Sequence, residues 1–160
     1  MRLSRWWLPL AFWLIVVPLV HGVLPWALST LASRRGWAGG RSPGPWNWIG
    51  LIPVAVSTAF LIWIYARKWW PSERKTSSFL LVHGPYRLTR NPIYIAYLAI
   101  WLGWAIFFGS SSVLSVWLLW CLVAILVLVP REERDLESAF GQSYLQYKNR
   151  VPRWFGRAKP

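Results

Sequence analysis

Acid is the scarcest chemistry in this chain. Five of its 160 residues are Asp or Glu, against 18 Lys and Arg, and the net charge is +13. There is one Cys and there are two His. The lone Cys121 excludes a disulfide framework and a thiolate metal cluster, and within an apolar run it reads as a small packing residue. His21 has no acid and no second His near it in sequence, so it reads as a structural, backbone-bonded group; no metal site is predicted. No Gly-rich turn joins a strand to a helix, which removes the Rossmann nucleotide fold. No acid lies inside an apolar run and no internal repeat is present, which leaves little for a transporter.

What the chain has instead is apolar surface: 56% of its residues are hydrophobic and 15 are Trp. That suits one compact membrane unit, an all-α integral membrane protein of about four transmembrane helices plus a C-terminal amphipathic interfacial helix. The spans are expected within residues 6–31, 46–66, 92–108 and 113–129. A helix needs roughly 17–25 apolar residues to cross the hydrocarbon, so the last two sit at the short limit. Their link, Gly109-Ser110-Ser111-Ser112, suits a tight antiparallel helix pair. The first run follows Arg2 and Arg5, as a signal peptide would. It is longer than the usual h-region of about 7–15 residues and lacks a small-residue cleavage site, so it reads as a span.

The distribution of charge argues for a membrane and against nucleic acid. With four spans and the N-terminus in the cytoplasm, 15 of the 18 Lys and Arg fall on the cytoplasmic side, and only Arg34, Arg35 and Arg41 outside. This follows the positive-inside rule and predicts both termini inside. Basic juxtamembrane residues favour anionic lipid headgroups, and Trp6, Trp7, Trp46, Trp48, Trp69 and Trp70 suit interfacial belts.

Local signals refine the plan. Pro9, Pro18, Gly22 and Pro25 predict a kinked or broken first span. Asn91-Pro92 reads as N-cap and first helical residue of the third span. Pro130 does the same for a separate last helix over 130–149, in which Leu136, Phe140, Tyr144 and Tyr147 make one apolar-aromatic stripe. That helix is too polar to span and is expected at the membrane surface.

Two polar cassettes interrupt the apolar pattern. One is Gly84-Pro85-Tyr86-Arg87-Leu88-Thr89-Arg90-Asn91-Pro92-Ile93-Tyr94. The other runs from Arg131-Glu132-Glu133 to Val151-Pro152-Arg153 and holds four of the five acids. A helical hairpin separates them, and folding it back brings both to one membrane face. Carboxylates in the first turn of a helix offset the macrodipole. Beside the tyrosines of the first cassette they are also placed to hold a cationic ligand, a site rather than a packing accident.

These cassettes resemble the motifs of the isoprenylcysteine carboxyl methyltransferase and phospholipid methyltransferase superfamily of integral membrane enzymes. The match lies in Gly84, Tyr86, Arg90, Pro92 and Tyr94, then in Glu132-Glu133, Leu136, Phe140-Gly141, Tyr144, Tyr147 and Val151-Pro152-Arg153. It covers about 76–153, which the resemblance makes the cofactor-binding catalytic core, with 1–75 as N-terminal transmembrane helices of the same single domain. The resemblance implies S-adenosyl-L-methionine as methyl donor, with contacts from Ser78, Phe79, Leu80, Leu81, Tyr86, Asn91, Pro92, Ile93, Tyr94 and Glu132. There are departures: Asn91 stands where the family usually has His, Ala96 where Gly is common. Leu128 stands where eukaryotic isoprenylcysteine enzymes carry a substrate-holding Arg.

The function expected is methyl transfer to a carboxylate or amine of a lipid or lipid-like acceptor, with membrane lipids as partners and the site on the cytoplasmic face. A carboxylate acceptor needs no base. An ammonium acceptor must lose a proton first, with Glu133 or Tyr147 as candidates, and Arg131 is a candidate partner for an anionic acceptor. The alternative is a non-enzymatic membrane scaffold or lipid-binding protein that keeps the fold.

Overall fold

The computed structural model describes residues 16–34, 44–69, 80 and 82–155. Among these, every regular element is helical. A π turn, Leu19–Val23, leads into α1 (Leu24–Arg34), and a 3-10 turn, Pro45–Gly50, leads into α2 (Leu51–Trp69). A second 3-10 turn, Gly84–Arg87, precedes α3 (Pro92–Phe108) and α4 (Ser111–Val123). A π turn, Ala124–Leu128, joins α4 to α5 (Val129–Phe140), with α6 (Gln142–Arg150) after it.

Among the described residues, two helices are long and apolar enough to cross a membrane: Pro45–Ala66 and the continuous Ser111–Phe140. Leu19–Leu31 and Pro92–Phe108 are shorter apolar helices. Only 17% of the apolar window of each long helix is buried within the protein, unlike a soluble core helix. Ile62 and Leu126 are each about two-thirds exposed, as side chains meeting lipid would be.

The sequence predicts a fresh helix at Pro130, and here the structure differs. Pro130 lies inside one 30-residue helix rather than starting a new one. Proline lacks an N–H, so an α-helix through it loses a bond. The π turn accommodates this, with Val129 N–H bonding back to Ala124 O, five residues away. The break falls later, at Gly141, whose φ of 52° is left-handed and ends α5 before α6. The last apolar helix is thus longer than expected, and the polar helix is two pieces.

The chain divides into two compact units, Met1–Ala55 with Ala99–Trp117, and Val56–Leu98 with Leu118–Pro160. In the first, Pro25 cannot donate the α-helical bond to His21 O. The Trp104 indole N–H takes that place at 2.5 Å, and Trp101 Nε1 donates to His21 Nδ1 at 3.0 Å. His21 is therefore a structural acceptor, as the sequence suggests, with two indole donors of α3 on it. Asn47 fastens two helices: its Oδ1 accepts from Gly44 N–H and its Nδ2 donates to Ile106 O. Gly50 and Gly103 permit a close crossing, since a Cβ on Gly103 would stand 2.5 Å from Gly50 O. The link after α3 is tight as predicted, with Gly109 at φ 54° and Ser110 Oγ accepting from Val113 N–H.

In the second unit, Tyr144, Tyr147 and Val151 form a buried cluster, with Leu80, Val82, Tyr86, Leu136 and Phe140 packed on it. This is the predicted stripe of the polar helices, turned onto the first cassette.

Candidate functional site

The first cassette enters through Gly84, whose φ of 61° would strain any other residue. Pro85 opens the 3-10 turn, which closes with Leu88 N–H on Pro85 O. Thr89 Oγ1 accepts from Asn91 N–H and donates to Arg153 O at 3.0 Å. Asn91 Nδ2 donates to the same carbonyl at 2.9 Å, and Arg90 N–H donates to Pro152 O at 3.0 Å. The end of the second cassette is therefore fastened to the start of α3. Asn91 precedes the helix as predicted, but its amide reaches across to Arg153 instead of turning back to cap.

Adjacent glutamates take different roles because successive residues on a helix point about 100° apart. Glu133 is buried and binds Arg153 in a fork, Nε to Oε1 at 3.0 Å and Nη2 to Oε2 at 2.5 Å. Arg90 Nη1 stands 2.8 Å from the same Oε1. Hydrogen bonding to Glu133 raises the Arg153 pKa above its ordinary value. Tyr147 Oη donates to Tyr86 O at 2.8 Å, inside the buried cluster. Burial pushes the Tyr144 and Tyr147 hydroxyls upward in pKa. Lys148 and Glu137 pair across the Gly141 break, half in solvent, where such a pair contributes little.

Glu132 faces a cavity of about 360 Å³ instead. Arg90, Asn91, Pro92, Ile93 and Tyr94, at the start of α3, line its polar side with Tyr86. Tyr65, Tyr97, Trp120 and Leu128 line the rest. Tyr94 interacts electrostatically with Glu132 in this wall, and Tyr97 with Tyr65. The Tyr86 phenol is pushed up to about 12, by burial first and then by the charge of Glu132 and by Tyr65. It is a neutral donor at any physiological pH. A cavity of this size admits a ligand of nucleoside dimensions, and its wall offers aromatic faces, one carboxylate and a helix N-terminus.

Of the residues singled out in sequence, Tyr86, Asn91, Pro92, Ile93, Tyr94 and Glu132 line this one cavity. Leu80 packs behind Tyr86 in the apolar cluster, and Ser78, Phe79 and Leu81 lie outside the described residues. Arg131 is exposed, and neither it nor Glu133 nor Tyr147 is in the wall. Tyr65, Tyr97 and Trp120 are new. Tyr97 had a signal, three residues after Tyr94 on the same helical face; Tyr65 and Trp120, far off in sequence, had none.

The phospholipid methyltransferase family model matches residues 46–143, more than half of the chain. The chain is 30% identical over 109 residues to the cobalt-zinc-cadmium resistance protein CzcN of Cupriavidus metallidurans, covering 68% of this chain and 48% of that protein. It thus spans about half the length of that relative. It is also 40% identical over 68 residues to an uncharacterized protein of Haemophilus influenzae, covering 39% of this chain and 98% of the relative. No solved structure matches it.

Proposed function

Since the chain belongs to the phospholipid methyltransferase family, a family of membrane methyltransferases, we propose that it transfers a methyl group from S-adenosylmethionine to a carboxylate or amine of a lipid or lipid-like acceptor. The observation that carries this is the meeting of Tyr94 and Glu132, from separate cassettes, in the wall of one cavity.

The donor set fits the cofactor. Glu132 is an acceptor for an ammonium or for ribose hydroxyls. The first-turn N–H groups of Ile93 and Tyr94 have no helical carbonyl behind them and favour negative charge. The faces of Tyr86 and Tyr94 suit an adenine ring or a sulfonium. When bound, the cofactor supplies an electrophilic methyl group on a sulfonium. The protein's share is positioning: Glu132 and the start of α3 fix one end, and the aromatic wall excludes water. Ser78, Phe79, Leu80 and Leu81 belong to the same proposed site by resemblance. We assign no catalytic base.

In the membrane, we place the four apolar segments across the bilayer, with both termini and the cavity on the cytoplasmic side. The 15 to 3 division of Lys and Arg supports that orientation. The acceptor then arrives sideways from the lipid, past Trp120 and Leu128.

The test is calorimetric binding of S-adenosylhomocysteine to the purified chain and to Glu132→Ala. Binding that weakens about tenfold or more in the variant is the expected result, the scale of one charged hydrogen bond. Equal binding in both removes Glu132 from the site. No binding to the unaltered chain removes the enzyme and leaves a scaffold.

A further inference from the structure

Two arginines share one carboxylate in the second unit. Glu133 takes the Arg153 fork on its two oxygens, and Arg90 leans on it too. The three side chains carry a net charge of +1. Arg153 is 39% exposed and keeps water on its guanidinium, whereas the Arg90 side chain is only 10% exposed. Arg90 therefore shares its counter-charge with a second cation and has little water to make up the difference.

The donors of Arg90 are not used up by the protein. Its Nη1 is near Glu133 in distance but off the line that a hydrogen bond needs, so the contact is Coulombic. Its Nε is buried with no acceptor. Tyr144 also stands in electrostatic contact with the guanidinium. Glu132 lines the same cavity and, among the described residues, forms no ion pair with Arg90. A buried guanidinium with idle donors is costly, and it is retained where something completes it. Arg90 forms part of the cavity wall, beside the first turn of α3, whose N–H groups favour the same sign of ligand charge.

We infer that Arg90 is an anion-binding residue of the cavity, taking the oxygens of a carboxylate or phosphate on a bound ligand. A guanidinium presents two parallel N–H groups to such an oxygen pair, which an ammonium cannot do. The source is either the carboxylate of the methyl donor or the phosphate of a lipid acceptor. This rests on the cavity proposed above being a ligand site.

Three probes separate the possibilities in the full-length purified chain, in its unaltered form and as Arg90→Gln and Arg90→Lys. S-adenosylhomocysteine carries the carboxylate; 5′-deoxy-5′-methylthioadenosine carries the nucleoside without it; glycerol phosphate carries the lipid's anionic group alone. Dissociation constants come from calorimetry, with thermal shift as a second readout. One anionic probe should weaken about tenfold or more in Arg90→Gln, the scale of one charge-assisted hydrogen bond, while methylthioadenosine stays within about twofold. Loss for S-adenosylhomocysteine assigns the donor carboxylate, and loss for glycerol phosphate assigns the acceptor. Arg90→Lys keeps the charge without the fork and should fall between. Unchanged binding of both anions overturns the inference, and so does an equal fall for all three probes, which would mark a structural role. If Arg90→Gln does not fold, the unaltered chain decides: stabilisation by neither anion overturns the inference. If neither nucleoside binds the unaltered chain, the donor reading above fails, and glycerol phosphate alone decides Arg90.

Discussion

Removing the Glu133 carboxylate tests the ionic cluster that holds the two cassettes together. In Glu133→Gln, Arg90 loses its counter-charge in a place where the two side chains are 10% and 7% exposed. Breaking a buried pair by deleting one partner costs about 3–5 kcal/mol, because the other charge stays out of water. Arg153 is 39% exposed, so its share is screened and contributes about 0–1 kcal/mol. The asymmetry is the sharper prediction. A double-mutant cycle of Glu133→Gln with Arg90→Gln should give a coupling of about 2 kcal/mol or more, and one with Arg153→Gln below about 1 kcal/mol. Unfolding in mixed micelles of rising denaturing-detergent fraction measures both, read by tryptophan fluorescence. A loss in Glu133→Gln under about 1 kcal/mol would refute burial as the governing factor. So would a cycle in which Arg153 couples more strongly than Arg90.

Three further perturbations probe other contacts. Trp104→Phe removes the indole donor from His21 O and should cost about 1–3 kcal/mol; Pro25→Ala in that background should recover part, by restoring a backbone donor, both read by unfolding in micelles. Gly103→Ala would set a Cβ 2.5 Å from Gly50 O and 2.7 Å from Val54 Cγ2, and should lose about 1–3 kcal/mol by the same measurement. Tyr86 has its pKa raised from 10.0 to about 12 by burial and by Glu132. The folded state favours its neutral form, so that contribution is complete below pH 10 and disappears as pH rises through about 12. Tyr86→Phe should flatten the decline of thermal stability in that window, and an unchanged decline would refute it.

Much of the site was legible because it is built from local signals. Asn91-Pro92 marks a helix start in any context, and a Gly-Ser link between apolar runs marks a tight reversal. The cassettes then meet because the hairpin leaves them nowhere else to go. Three things were not legible. The inside or outside position of Glu132 and Glu133 depends on helical rotation, which no local pattern fixes. The Asn91 amide turns from its own helix to Arg153, a partner 62 residues on. Tyr65 reaches the cavity from α2 through a tertiary contact, and its aromatic surroundings in sequence look like any lipid-facing stretch. Pro130 misled for a different reason: proline stops an α-helix, but a wider turn absorbs it.

That wider turn, Ala124–Leu128, winds one surplus residue into the helix without changing the azimuth of α5 beyond it. Wound as ordinary α-helix, the same residues would swing α5 by about 100°. The azimuth of Glu132 would pass to Arg131, and the wall would exchange the Glu132 carboxylate for a guanidinium. The sign of the charge that greets a ligand is therefore set several residues away, among side chains such as Leu126 and Val127 that carry no charge at all.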